Sequence, residues 1–170
     1  MPAQPTPGAY TLDPTRSSVR FQHKGMWGLA TVNGTFGTVR GSGAVAEDGT
    51  GSGTLVIEVT SLDTKNARRD KDLLSKRFLE AGTYPEITFE AARIVNAADG
   101  SAQVEGELTV HGNSRKVSFP ARYEVPGADS VALRGELTVE RAEYGLTSNP
   151  LGMLSGAAKI ELELVFSAAH

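Results

Sequence analysis

VEGELTVHGNSRKVSFPARYEV, residues 104–125, decides the fold. Its first part sets Val104, Gly106, Leu108 and Val110 on one side and Glu105, Glu107 and Thr109 on the other. Its last part sets Val117, Phe119, Ala121, Tyr123 and Val125 against Lys116, Ser118, Pro120, Arg122 and Glu124. Successive side chains of a strand point to opposite faces, so a period of two with one apolar face marks a strand buried on one side only. The HGN tripeptide around Gly112 carries a turn signal between the two. A hairpin follows, apolar within and charged without.

The same alternation runs through the rest of the chain. Val19, Phe21 and His23 share a face in SVRFQH, and Leu55, Ile57 and Val59 do so in TLVIEVT. EITFEA places Ile87, Phe89 and Ala91 together, and LRGELTVER places Leu133, Gly135, Leu137 and Val139 together. KIELELVF ends the series with Ile160, Leu162, Leu164 and Phe166. Asn33-Gly34 has the composition of a hairpin turn, yet Val32, Gly34 and Phe36 continue a period-two run, and the strand reading is preferred. Further turn signals stand at the GSG around Gly41, at Gly49, at Gly100 and at Gly127. One solvated face per strand indicates an antiparallel sheet, and about eight such strands close into a barrel or pack as a sandwich.

Thr64 to Gly82 breaks the pattern. TKNARRDKDLLSKRFLEAG is highly charged and spaces Ala67, Leu74 and Phe78 at helical intervals. Thr64 and Ser75 are expected as caps of two short helical pieces that end at Gly82. A helical insertion of this length suits a barrel with one covered end.

Composition excludes several functions. The 170 residues carry a net charge of −3 and show no basic patch, so no nucleic-acid partner is expected. No cysteine is present, which removes disulfides, thiolate chemistry and cysteine zinc sites. No apolar run approaches the ~20 residues of a membrane helix, and the first residues lack the pattern of a secretory signal. The expectation is a cytoplasmic protein without an integral membrane segment.

Catalysis requires a nucleophile with its base, or a tuned acid–base pair, in one site. The three histidines, His23, His111 and His170, are scattered along the chain, and no catalytic constellation or metal-ligand spacing is found. His111 is expected in solvent at its turn, and His23 alone is expected to face inward. No enzyme activity, metal or cofactor is expected. Gly34, Gly106, Gly135 and Ala121 fall on inward faces among larger residues, which predicts missing volume along the walls and hence a cavity.

Five blocks in order carry a family likeness: YTLDPTRSSVRF from Tyr10, GMWGLATVNGTFG from Gly25, SLDTKNARRDKDLLSKRFLEAGTYPEITF from Ser61, GELTVHGNSRKV from Gly106 and ERAEYGLT from Glu140. Together they resemble the YceI-like family of polyisoprenoid-binding, lipocalin-like proteins. The resemblance implies an extended eight-stranded antiparallel β-barrel with the helical insertion near residues 64–82. A lead-in would occupy residues 1–9 and a single domain residues 10–168. The implied ligand is a long-chain isoprenoid, an isoprenoid quinone or a fatty amphiphile held in the lumen, and the implied assembly is a homodimer. The chain departs from the family where Gly25, Met26 and Trp27 stand in place of a frequent histidine, and where Asp72 precedes Leu73 in place of another.

The lumen and mouth residues expected to touch such a ligand come from every element. The first strands offer Phe21, His23, Met26, Trp27 and Phe36; the next, Leu55 and Ile57; the helical block, Leu74 and Phe78. The later strands add Phe89, Leu108, Phe119, Tyr123, Leu137 and Leu162. Arg68 and Arg69 are the candidates for an anionic head group, against the plainer reading of a solvated helical face. Two alternatives stand beside the carrier: an enzyme acting on a bound lipid through His23, and a structural barrel with a filled core.

Overall fold

The alternating segments form one antiparallel sheet that closes on itself. In chain order the strands are β1 (Gly8–Leu12), β2 (Ser18–Gly25), β3 (Ala30–Phe36), β4 (Val39–Val45) and β5 (Gly51–Glu58). They continue with β6 (Leu62–Asp63), β7 (Glu86–Asn96) and β8 (Ser101–Val110). The last are β9 (Asn113–Gly127), β10 (Ser130–Glu140) and β11 (Leu154–Ala168). The computed structural model describes residues 5–25, 30–75, 79–97, 99–127, 129–144 and 154–168, without the side chains of 23–25, 30–32, 141–142 and 154–157.

β11 pairs with β2 along its first part and with β1 along its last, so β1 and β2 are one interrupted strand. β3 and β4 are likewise one strand broken at Gly37-Thr38, since β3 pairs with β2 and β4 with β1. With β6, which pairs with β3 where β5 pairs with β4, counted as the continuation of β5, eight strands run up and down around a closed antiparallel barrel, each beside its neighbour in sequence. The first interruption is stitched by side chains. The Asp13 N–H donates to the Val165 carbonyl at 2.8 Å, and the Val165 N–H donates to Ser17 Oγ at 2.9 Å. A serine hydroxyl thus completes the ladder where the backbone leaves it.

Asn33-Gly34 lies within β3, as the period-two run predicts. The GSG from Gly41 to Gly43, expected as a turn, is instead inside β4. Its glycines permit close approach of two strands: a Cβ at Gly41 would stand 2.6 Å from the Thr54 carbonyl oxygen, and one at Gly53 2.7 Å from that of Ser42. The turn itself falls between Ala46 and Thr50, where the Ala46 N–H donates to the Thr50 carbonyl at 2.8 Å. In β7 the register shifts between Ala91 and Arg93, and this bulge resets the inward parity from Ala91 to Ile94.

Among the described residues the insertion between β5 and β7 holds one helix, α1 (Ala67–Leu73); residues 76–78, within the second piece expected, lie outside them. Asn66 caps it, accepting from the Arg69 N–H at 3.1 Å. Thr64, expected in that role, is buried: its hydroxyl donates to Asp70, and its N–H donates to Asp70 Oδ1 at 3.0 Å. Both residue types can cap a helix, and the one beside the first turn does so. Ser75 Oγ donates back to the Asp72 carbonyl at 2.5 Å, just past the end of α1. The insertion and the His111-Gly112 turn lie at one end of the barrel, here the helix end. The β4–β5, β7–β8 and β9–β10 turns lie at the other, the turn end.

Candidate functional site

The inward faces enclose two apolar cavities stacked along the barrel. The turn-end chamber, of about 100 Å³, is bounded by Tyr10, Ile94, Val104, Tyr123, Leu133 and Phe166, with Gly43, Gly51 and Gly53 on one wall. The helix-end chamber, of about 150 Å³, is bounded by Val19, Phe21, Phe36, Ile57, Leu108, Val110, Leu137 and Ile160, with Leu62, Leu73 and Leu79 from the insertion. Among the described residues, every side chain lining the helix-end chamber is aliphatic or phenylalanine. Leu55, Phe89, Phe119 and Leu162 border both chambers and form a waist between them. The Phe89 and Phe119 rings meet there with centroids 5.7 Å apart and planes tilted by 52°, a favourable offset for aromatic pairs.

The two tyrosines of the turn-end chamber have bonded hydroxyls. The Tyr10 hydroxyl donates to the Thr6 carbonyl at 2.6 Å, and that of Tyr123 to the Ala97 carbonyl at 2.8 Å. Both rings present apolar faces to the turn-end chamber while their polar tips bond the chain at its rim. The acidic residues of the strands face outward, where Arg20, Lys159 and Arg134 form ion pairs with Glu161, Glu163 and Glu136. Among the described residues no cluster of three histidines or carboxylates is placed to hold a metal. No helix among them is long and apolar enough to cross a membrane.

The inward glycines work differently from the expectation. Gly34, Gly106 and Gly135 do not leave empty volume, because phenylalanine rings from neighbouring strands lie over them. The Phe21 ring covers Gly34; a Cβ on Gly106 would stand 2.9 Å from Phe89 Cζ, and one on Gly135 2.9 Å from Phe119 Cε2. The missing side chains are filled by aromatic rings laid along the wall, and the open space lies on the axis.

Of the expected contact residues, Phe21, Phe36, Leu55, Ile57, Phe89, Leu108, Phe119, Leu137 and Leu162 line the helix-end chamber, and Tyr123 lines the other. Leu74 packs against the core but borders neither cavity; its neighbour Leu73 does. Met26, Trp27 and Phe78 lie outside the described residues, as does the His23 side chain, whose backbone pairs with Val32 and Ala158. Arg68 is exposed on α1. Arg69 is engaged with Thr64, donating from Nε to Oγ1 at 2.9 Å and from Nη2 to the carbonyl at 2.8 Å. Sequence reasoning missed Leu62, Leu73 and Leu79, whose only signal was their leucine spacing in a highly charged segment.

His111 is not in solvent, contrary to expectation. Both ring nitrogens are buried without a hydrogen-bond partner, and the ring packs on Tyr84 with centroids 4.6 Å apart. The turn is tucked under the end of the insertion, where Asn113 Nδ2 donates to the carbonyls of His111 and Tyr144, each at 2.9 Å. Burial also raises the Tyr144 phenol above its ordinary pKa.

Residues 10–166 match the family model of the YceI-like domain. A UPF0312 protein of Vibrio parahaemolyticus is 29% identical over 139 residues, 81% of this chain and 74% of its own length. Among solved structures, Burkholderia cenocepacia BcnA superposes with a TM-score of 0.82 at 23% identity, covering 91% of this chain and 98% of its own. A polyisoprenoid binding domain from Saccharophagus degradans superposes at 0.75 and 18% identity, covering 94% of this chain and 98% of its own. Likeness at these identities shows a shared fold.

Proposed function

This chain belongs to the YceI-like domain family, and from that membership and the lumen we propose that it binds a long-chain apolar ligand, which it carries or sequesters without altering it. The ligand class is a polyisoprenoid, an isoprenoid quinone or a fatty amphiphile. The observation that carries the reading is the helix-end chamber, whose described lining side chains offer no hydrogen-bond donor or acceptor. A polar group placed there would lose its water without replacement, at a cost of about 1–3 kcal/mol, whereas each buried CH₂ gains about 0.8 kcal/mol, offset by the ordering of the chain. Such a wall selects hydrocarbon.

The name of the Saccharophagus domain supports the isoprenoid member of this class. The described residues of both cavity walls carry no charged side chain, which supports binding over chemistry. Protein purified from its native host, extracted with organic solvent and analysed by mass spectrometry, is expected to release an isoprenoid or another long-chain lipid. Absence of any such lipid, together with no binding of prenyl alcohols or fatty acids by the stripped protein, would overturn the proposal. The homodimer that the family resemblance implies is checked by light scattering.

A further inference from the structure

The two chambers meet at one layer of four side chains, and two of the four are rings held by the same local device. In β7 the sequence Phe89-Glu90-Ala91 sets Ala91 opposite Gly106 of β8. In β9 the sequence Phe119-Pro120-Ala121 sets Ala121 opposite Gly135 of β10. Each phenylalanine thus leans diagonally over the glycine that faces the alanine two residues on, and in both cases it leans toward the turn end. The glycine is the condition for this posture. A Cβ on Gly135 would meet Phe119 Cε2 at 2.9 Å and Cδ2 at 3.3 Å, while its next neighbour is the Ala121 Cβ at a comfortable 3.5 Å. Only the ring stands in the way at that position, and a ring can rotate where a backbone cannot.

We infer that this Phe89–Phe119 waist, resting on Gly106 and Gly135, determines which chain lengths the lumen accepts. The inference rests on the proposed lumen binding and adds to it the residues that set length. A short apolar chain lodges in one chamber with the waist shut. A longer chain occupies both chambers only by parting the two rings, so their contact is lost when the chain passes. A side chain added behind a ring pushes it toward the axis and narrows the passage; a ring replaced by a shorter aliphatic side chain widens it.

The test uses the full-length protein stripped of lipid and the linear prenyl alcohols farnesol, geranylgeraniol and solanesol. Affinities are read by displacement of the apolar fluorophore N-phenyl-1-naphthylamine. Phe119→Leu is expected to tighten solanesol about tenfold, the equivalent of about two methylenes newly buried, while farnesol changes less than about twofold. Gly135→Ala is expected to act in the opposite direction, weakening solanesol about tenfold and sparing farnesol. Opposite signs from two variants that both retain the barrel's circular dichroism cannot come from loss of folding. Equal changes at every length, or none, would overturn the waist while leaving lumen binding intact. Failure of the unsubstituted protein to bind any of the three alcohols would overturn the lumen reading and the waist with it.

Discussion

The two chambers share a barrel but are built by different means. At the helix end the chain covers the barrel with its β5–β7 insertion, which contributes Leu62, Leu73 and Leu79 to the wall. Among the described residues its wall there carries no glycine and no polar side chain. At the turn end the closure comes from tight turns and from β4 and β5, whose glycines let the strands crowd together, and two tyrosines tie the rim to nearby carbonyls. One end is capped by a segment that folds over it, and the other by the strands' own curvature. A covering segment with its own small polar hub can open by itself, whereas a turn-closed end opens only with the strands that form it.

The largest blow to the comparison is to remove its partition. Phe119→Ala deletes a ring that borders both chambers and is 4% exposed; it is expected to cost about 3–5 kcal/mol in urea unfolding. A cost below about 1 kcal/mol would show that the waist does not support the barrel.

Thr64→Ala should separate the ends. The hydroxyl it removes donates to Asp70 and accepts from Arg69, and it is the hub of the insertion. A loss of about 1–3 kcal/mol is expected, and hydrogen exchange should rise in α1 while the β4–β5 and β7–β8 turns keep their protection. Uniform loss of protection would mean that the two ends open as one.

Tyr123→Phe probes the turn end in the same way and more gently. It removes the bond to the Ala97 carbonyl at 2.8 Å and is expected to cost about 0.5–1.5 kcal/mol with exchange confined to the β7–β8 turn.

The smallest effect is that of acid. Asp48 and Asp99 cap the turn-end turns, and hydrogen bonds from the side chains and backbones of Thr50 and Ser101 hold their carboxyls below the ordinary aspartate pKa of 3.8. Asp13 at the β1–β2 interruption is lowered chiefly by the Thr15 hydroxyl, and Asp63 by the N–H of Lys65. Because folding lowers these values, the unfolded chain takes up protons first as the pH drops. The stabilisation is therefore complete above the ordinary aspartate range and is lost as pH falls through the lowered values. Melting temperatures across that window should decline, and Thr50→Ala with Ser101→Ala should flatten the decline by lowering the melting temperature near neutrality while the acid values converge.

Most of the barrel could be read from the sequence because burial on one face writes itself as a period of two. Val104 to Val110 and Ile160 to Phe166 fall on the inward face that their alternation indicates. What escaped was whatever depends on a third body. Gly41 looks like a turn because crowding of two backbones and reversal of one both call for glycine. Gly106 and Gly135 looked like vacancies because the rings that cover them come from other strands. Leu73 and Leu74 exchange roles because a two-residue difference in helix start changes which of them faces the lumen, and Asn66 sets the start that Thr64 was expected to set. His111 carries a turn signal, which is accurate for its backbone at φ 54° but says nothing of the tyrosine folded over its ring. The lumen residues were thus legible one by one, while the waist that organises them was not.

The seam where β1 meets β11 sets an order in time. Every other pairing around the ring joins neighbours in the chain, but along this seam, which β2 shares, Leu12 lies opposite Phe166 and Val19 opposite Leu162. Such a contact closes nearly the whole chain into one loop, and its entropy must be met before the contact returns anything. During synthesis the meander can assemble hairpin by hairpin, while β1 and its hydroxyl stitch at Ser17 wait with an unpaired edge until β11 arrives. Until then the interior is a trough open along one side, and a ligand could be laid into it sideways before the wall is complete.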